Sequence, residues 1–161
     1  MKAARAFTVG LISDTHGLLR PEALAALEGS DHVVHAGDIG DAAILEALAA
    51  IAPVTAVRGN NDTGPWARKL RERETVELAG TRIHVIHDLA ALRRDGGLDG
   101  VRVVVSGHSH VPRTVEEDGI LYVNPGSAGP RRFRLPVSVG RLEIAKGAAR
   151  ARLLELAIAR P

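Results

Sequence analysis

Val103-Val104-Val105-Ser106-Gly107-His108-Ser109-His110 is an apolar, β-branched run that ends abruptly in a glycine and two histidines one residue apart. It reads as a buried strand that delivers two imidazoles at its carboxyl end. Val111-Pro112 bars an immediate helix, because proline biases the residue before it away from the α region. If those rings hold metal, the remaining ligands must come from distant parts of the chain.

The composition narrows where such ligands can be found. At 161 residues the chain is expected to be one domain, residues 1–161, large enough to bury a real core. Its apolar set is almost entirely Ala, Val, Leu and Ile, with one Trp, one Tyr and two Phe. That suits a Val-rich sheet covered by Ala/Leu helices, and does not suit a protein that stacks bases on aromatic platforms. Lys plus Arg number 21 against 19 Asp plus Glu, a net +2, which is too weak an excess to indicate specific nucleic-acid binding. Without cysteine there is neither a disulfide framework nor a thiolate site, so any metal is held by oxygen and nitrogen. No apolar run approaches the roughly 20 residues that span a bilayer. The amino terminus leads into a strand ending at Asp14 and His16 instead of a signal-peptide core, so a soluble cytoplasmic protein is expected.

Phe7 to Ile12 is a first buried strand, broken at Ser13-Asp14-Thr15-His16-Gly17. Pro21 to Leu27 reads as a short helix with proline in its first turn. His32 to His35 is a second strand running into Gly37-Asp38, and Asp41 is placed to cap a helix over Ala42 to Ala50. Val54 to Val57 is a third strand, closed by Gly59-Asn60-Asn61-Asp62. Three strands at helix-length intervals, each ending in polar residues, imply parallel strands whose carboxyl ends share one edge. That edge is where open α/β sheets place their sites.

The second half reads differently. Thr63 to Glu74 is a charged connector, and Thr75 to Leu78 with Thr81 to His87 form a hairpin about Ala79-Gly80. Leu89 to Arg94 is a helical turn and Asp95 to Gly100 a loop. Thr114 to Glu117 and Ile120 to Val123 pair across Asp118-Gly119. Val137 to Ile144 alternates as a strand, and Ala149 to Ala159 is a last strand or a short helix. Two sheets packed face to face, with helices outside, accommodate both halves.

Asp14, His16, Asp38, Asn60, His87, His108 and His110 all fall at the carboxyl ends of predicted strands. Any one alone is more simply a cap or a turn residue. Seven together are not, since buried carboxylates and imidazoles cost several kcal/mol unless paired or metal-bound. Two divalent ions against two aspartates leave a site charge of about +2, enough to hold a phosphate. His32, His35 and His84 fall outside the pattern and read as partly buried or surface residues.

In order and spacing, Asp14-x-His16, Gly37-Asp38, Gly59-Asn60-x-Asp62, His87 and Gly107-His108-x-His110 resemble the calcineurin-like metallophosphoesterases. Asn124-Pro125-Gly126-Ser127 and the short length resemble the small YfcE-like phosphodiesterase branch. The resemblance implies a four-layer α/β/β/α sandwich of two mixed β-sheets flanked by helices, with a dinuclear centre at the sheet edge. One metal would be held by Asp14, His16, Asp38 and His110, and the other by Asp38, Asn60, His87 and His108. Asp38 would bridge, and Asp62 would orient the site.

The activity implied is hydrolysis of a small phosphodiester by a metal-bridging hydroxide, with two ions about 3.5–4 Å apart. Mixed oxygen and imidazole ligands suit manganese first, or iron, nickel or zinc. Two positions depart from the family pattern. Asn61 stands where many relatives carry a histidine able to protonate the leaving group, so diesters with good leaving groups are expected. Asp88 replaces the glycine usual after the metal histidine, where it crowds substrate or hydrogen-bonds a ligand. Arg131, Arg132 and Arg134 follow the Asn-Pro-Gly-Ser turn, as phosphate contacts or a solvated basic loop. The alternatives are phosphomonoesterase activity and a non-catalytic scaffold, as in the retromer subunit that shares the fold. A complete histidine set favours catalysis.

Overall fold

The computed structural model describes residues 5–92 and 98–158. Strand β1 (Phe7–Ile12), helix α1 (Pro21–Leu27), β2 (His32–His35), α2 (Ala42–Ala49) and β3 (Val54–Ala56) form the alternating first half. Strands β4 (Arg73–Leu78) and β5 (Thr81–Ile86) follow, then β6 (Val101–Val105), β7 (Arg113–Glu117), β8 (Ile120–Asn124), β9 (Ser138–Ala145) and β10 (Ala148–Glu155).

These strands make two five-stranded mixed sheets, ordered β10-β9-β1-β2-β3 and β4-β5-β6-β8-β7. Each has three neighbouring parallel strands, β1, β2 and β3 in the first and β5, β6 and β8 in the second. Antiparallel partners complete each sheet. The carboxyl ends of the parallel strands therefore open on shared edges, and the loops carrying the polar motifs meet there.

Period-two alternation explains the layering. Val9, Leu11, Val34 and Val57 face Ile83, Val85, Val103, Val105 and Val123 across the space between the sheets. On the opposite face of the first sheet, Ile12 and Val33 pack against Ala23, Leu27, Ile44 and Leu48 of the helices. Gly10 lacks the side chain that would collide with Leu27, which lets α1 sit close. Each fully buried Val, Leu or Ile stabilises by about 1.5–3 kcal/mol, and this core holds the sheet-edge loops in place. Over the outer face of the second sheet, Ile86, Val101 and Val104 are covered by Leu92, which follows a 3-10 turn at Leu89–Ala91.

Several boundaries differ from the sequence reading. The connector 63–74 contains a 3-10 turn at Pro65–Lys69, and its last two residues belong to β4, extended by pairing of Arg73 with Ile86. The final segment is a strand, because β9 offers it a free edge along eight residues. Parts of the expected turn 89–94 and loop 95–100 lie outside the described residues. Among the described residues no helix is long and apolar enough to cross a membrane.

Candidate metal centre

The loop after β1 runs beside the loop after β2 as an extra backbone ladder. Asp14 N–H donates to Gly37 O, His16 N–H to Asp38 O and Gly17 N–H to Ile39 O, at 2.9–3.0 Å. Along this ladder and in the loop after β6, five candidate ligands adopt the left-handed backbone region. They are Asp14 (φ 54°), His16 (46°), Asp38 (55°), His108 (70°) and His110 (63°). A non-glycine residue held there costs on the order of 1–3 kcal/mol and persists only where its surroundings over-determine it. The interstrand hydrogen bonds and the core beneath do so, and the strain aims these side chains at one another.

Asp14 is fully buried. Its Oδ2 accepts from Ser13 Oγ–H at 2.6 Å and from His108 N–H at 3.1 Å. Its Oδ1 has no hydrogen-bond partner, and lies 3.2 Å from His110 Nε2, 3.6 Å from His16 Nε2 and 3.9 Å from His87 Nε2. Asp38 Oδ2 lies 3.2 Å from His87 Nε2 and 3.7 Å from His16 Nε2. Donor atoms of Asp14, His16 and His110 thus converge in one group, and those of Asp14, Asp38 and His87 in a second. Asn60 Oδ1 is 3.2 Å from His108 Nδ1, and the His108 ring meets His87 edge-on at 5.2 Å. All seven residues singled out in the sequence therefore lie in one cluster.

The ring orientations are set from behind. Ala36 O accepts from His87 Nδ1–H at 2.7 Å, which leaves Nε2 as the free face of the neutral ring. That Nε2 is buried and unpartnered, because its 3.2 Å approach to Asp38 lacks hydrogen-bond geometry. Burial favours the neutral imidazole, but the carboxylates of Asp38 and Asp14 and the Ala36 carbonyl raise the His87 pKa. Burial would raise Asp38 as well, yet His87 and the two N–H groups of Asn61 hold it well below the carboxylate range. At His110, burial lowers the pKa, with Asp14 opposing and the charge of Arg132 adding to the fall. Two buried carboxylates facing three imidazoles, with unpartnered atoms turned inward, fit divalent cations with oxygen and nitrogen ligands.

Asp62 does not face the imidazoles. Its carboxylate accepts from the N–H groups of Ile39, Gly40 and Gly59 at 2.9–3.2 Å, tying the loop after β2 to the loop after β3. Asp88 divides its oxygens. Oδ1 accepts from Ala90 N–H at the start of the 3-10 turn, and Oδ2 lies 3.9 Å from His108 Nε2. Asp41 Oδ1 caps α2 through Ala43 N–H, as expected.

The reading of His32, His35 and His84 as partly buried or surface residues needs correction for two of them. His84 is buried under β4, where Thr75 Oγ1 lies 2.8 Å from Nδ1 and Arg73 Nε–H donates to Nε2. His35 is fully buried beneath the site. Its Nδ1 accepts from Gly37 N–H, so in the neutral ring Nε2–H donates to Thr15 Oγ1, which in turn donates to Ile39 O. Only the proximity of His35 to Asp38 in the sequence hinted at this supporting role.

Beside His108 a groove of about 790 Å³ runs over the outer face of the second sheet, past Leu89, Val111, Val115 and Tyr122. On the other side, Gly129 packs against the backbone of Asp14 and Thr15, and Ser127 Oγ–H donates to Asp14 O.

Two stacked mixed sheets with a carboxylate and imidazole cluster at their edge define a metallophosphoesterase fold. Residues 7–147 match the calcineurin-like phosphoesterase superfamily domain, and the chain belongs to that superfamily. It is 38% identical over 132 residues to a probable metallophosphoesterase of Methanocaldococcus jannaschii, covering 74% of this chain and 67% of that one. It is 29% identical over 161 residues to the phosphodiesterase YfcE of Escherichia coli, covering 81% and 84%. Among solved structures, vacuolar protein sorting 29 of Cryptosporidium parvum superposes with a TM-score of 0.73 at 20% identity, over 96% of this chain and all of that one.

Proposed function

We propose that the chain is a metal-dependent phosphodiesterase whose centre holds two divalent ions. Asp14, His16, Asp38 and His110 would hold one, and Asp38, Asn60, His87 and His108 the other. The observation that carries this reading is the pair of buried, unpartnered atoms Asp14 Oδ1 and His87 Nε2, turned toward each other and toward further imidazoles. A purely structural cluster would satisfy them, because an unpartnered buried polar atom costs about 1–3 kcal/mol. The phosphodiesterase name of a relative covering most of both chains supports the diester preference.

Bound ions would supply Lewis-acid charge stabilisation and lower the pKa of a coordinated water. The chain's own residues do the rest. Ser13 and the His108 N–H hold Asp14 by Oδ2, so Oδ1 stays presented to the site. Ala36 O locks His87 in the tautomer that presents Nε2. Asn61 holds both oxygens of Asp38. Its amide has no proton to give a leaving group, so the preferred diesters are those whose leaving groups depart as stable anions.

The test is hydrolysis of bis(p-nitrophenyl) phosphate with added manganese, beside the corresponding monoester, before and after chelation and for Asp38→Ala. Diester turnover lost in both controls supports the reading. Metal-replete protein that turns over neither ester would sink it and leave the interaction scaffold, a role the fold alone also permits.

A further inference from the structure

One segment near the metal centre is explained by neither packing nor turn chemistry. Arg131-Arg132-Phe133-Arg134 forms a short excursion whose two feet are fixed. At one foot Gly129 lies against the Asp14–Thr15 backbone, Arg20 Nε–H donates to Gly129 O, and Ala128 N–H donates to Ser13 O. At the other, Val137 bridges to Ser127, whose hydroxyl is bonded to Asp14 O. Arg131 follows Gly129 by two residues, so about 7 Å of chain at most separates their Cα atoms.

The excursion is closed by a turn in which Leu135 N–H donates to Arg132 O. Phe133 occupies the second position of that turn with φ 53°, a conformation that favours glycine or asparagine. The residue is 93% exposed, the most of the large hydrophobics among the described residues. A strained, solvated phenylalanine gains nothing from the fold. Arg131, Arg132 and Arg134 are exposed around it, and their side chains make no hydrogen bond or ion pair among the described residues. An exposed aromatic ring whose neighbours in the chain are exposed arginines, without a side-chain partner among the described residues, matches a planar ring joined to a phosphate.

We propose that this loop selects the substrate, Phe133 stacking on a planar ring in one ester arm while Arg132 meets phosphate charge. The substrate class is then a small phosphodiester with a nucleoside arm. One platform suits one ring, which accords with an aromatic-poor chain that lacks the repeated platforms of a polymer binder. The proposal rests on the phosphodiesterase reading for the placement of the scissile bond.

Two chromogenic diesters with one leaving group test it: thymidine 5′-(p-nitrophenyl phosphate) and ethyl p-nitrophenyl phosphate, each with manganese. The expected result is a preference in kcat/KM for the nucleoside diester that falls about tenfold in Phe133→Ala and is kept in Phe133→Tyr, an effect within the range of stacking on an aromatic side chain. Calorimetry with thymidine 5′-monophosphate gives a readout without turnover. Phe133→Ala should weaken that binding about tenfold and leave binding of inorganic phosphate as it was, whereas Arg132→Gln should weaken both.

A preference unchanged in Phe133→Ala overturns the proposal, as does a preference abolished by Leu89→Ser in the groove instead. Hydrolysis of neither diester, with monophosphate binding that still depends on Phe133, sustains the loop's role and refutes the phosphodiesterase reading.

Discussion

Asn61 holds Asp38 by two hydrogen bonds, its backbone N–H to Oδ1 at 2.8 Å and its side-chain Nδ2–H to Oδ2 at 3.0 Å. The residue that in the sequence stands in place of a proton donor thus clamps the proposed bridging carboxylate. Asn61→His is expected to trade the amide bond to Oδ2 for an acid. Turnover of ethyl p-nitrophenyl phosphate changes little, because p-nitrophenolate leaves unaided, whereas dialkyl diesters gain about 100-fold. Steady-state rates on both classes decide it, and equal changes on both would show that position 61 acts only through Asp38.

Gly59 lies so close to Asp38 that an added Cβ would overlap its backbone nitrogen and Oδ1. Gly59→Ala should displace that carboxylate. Overpacking of this kind costs about 1–3 kcal/mol, and the metal content of the purified variant should fall with it. A variant with wild-type metal content would show that the two loops separate freely.

Asp62 receives three backbone N–H groups, and an amide in its place turns an N–H donor toward one of them. Asp62→Asn is expected to destabilise the protein by about 2–3 kcal/mol, given what hydrogen bonds to charged groups contribute. Urea unfolding with an unchanged slope and a lower midpoint would register this.

Metal stoichiometry separates the proposed ligand sets. The wild type should carry two divalent ions per chain, His108→Ala and His110→Ala about one each, and Asp38→Ala none. Chelation should lower the melting temperature by roughly 5–10 °C, since ligand present at about 100 times its dissociation constant stabilises by about 2.7 kcal/mol. One ion in the wild type would contradict the dinuclear assignment.

Burial, with the neighbouring charge of His87, pushes the His35 pKa down to about 3. Between about pH 6.5 and 3 the unfolded chain binds a proton at His35 that the folded chain refuses. Folding stability is therefore lost as pH falls through this window, by up to about 1.4 kcal/mol per unit, and no further loss arises below it. Urea unfolding of chelated protein at several pH values should show a shallower acid dependence in His35→Gln than in the wild type. Equal slopes would mean that His35 is protonated in the folded protein.

Much of the fold was legible because burial leaves a periodic record. The bounds of β1, α1 and β2 emerge as read, since each is an apolar run stopped by polar residues or glycine. The connector 63–74 was opaque because its charged residues carry no period, and only pairing with β5 defines β4. Ala149 to Ala159 was ambiguous because Ala, Leu and Arg serve helix and strand alike, and the edge of β9 decided it.

The candidate site was legible for a different reason. Residue types with metal-binding chemistry recur at strand ends, and parallel strands bring those ends together wherever they fall in the chain. What each residue does there is not written in its type. Asp62 and Asp38 are both aspartates after a β-strand, yet one is spent on backbone N–H groups and the other faces the imidazoles.

By itself the sequence determined the strand and helix pattern outside the connector 63–74 and the last segment, the superfamily motif and the set of seven candidate ligands, because these depend on local periodicity and residue chemistry. Only the tertiary structure decided the left-handed backbone of five of those candidate ligands, the burial of His35 beneath them and the exposure of Phe133. Dihedral strain and solvent exposure follow from contacts between segments far apart in the chain, and no window of sequence contains both partners.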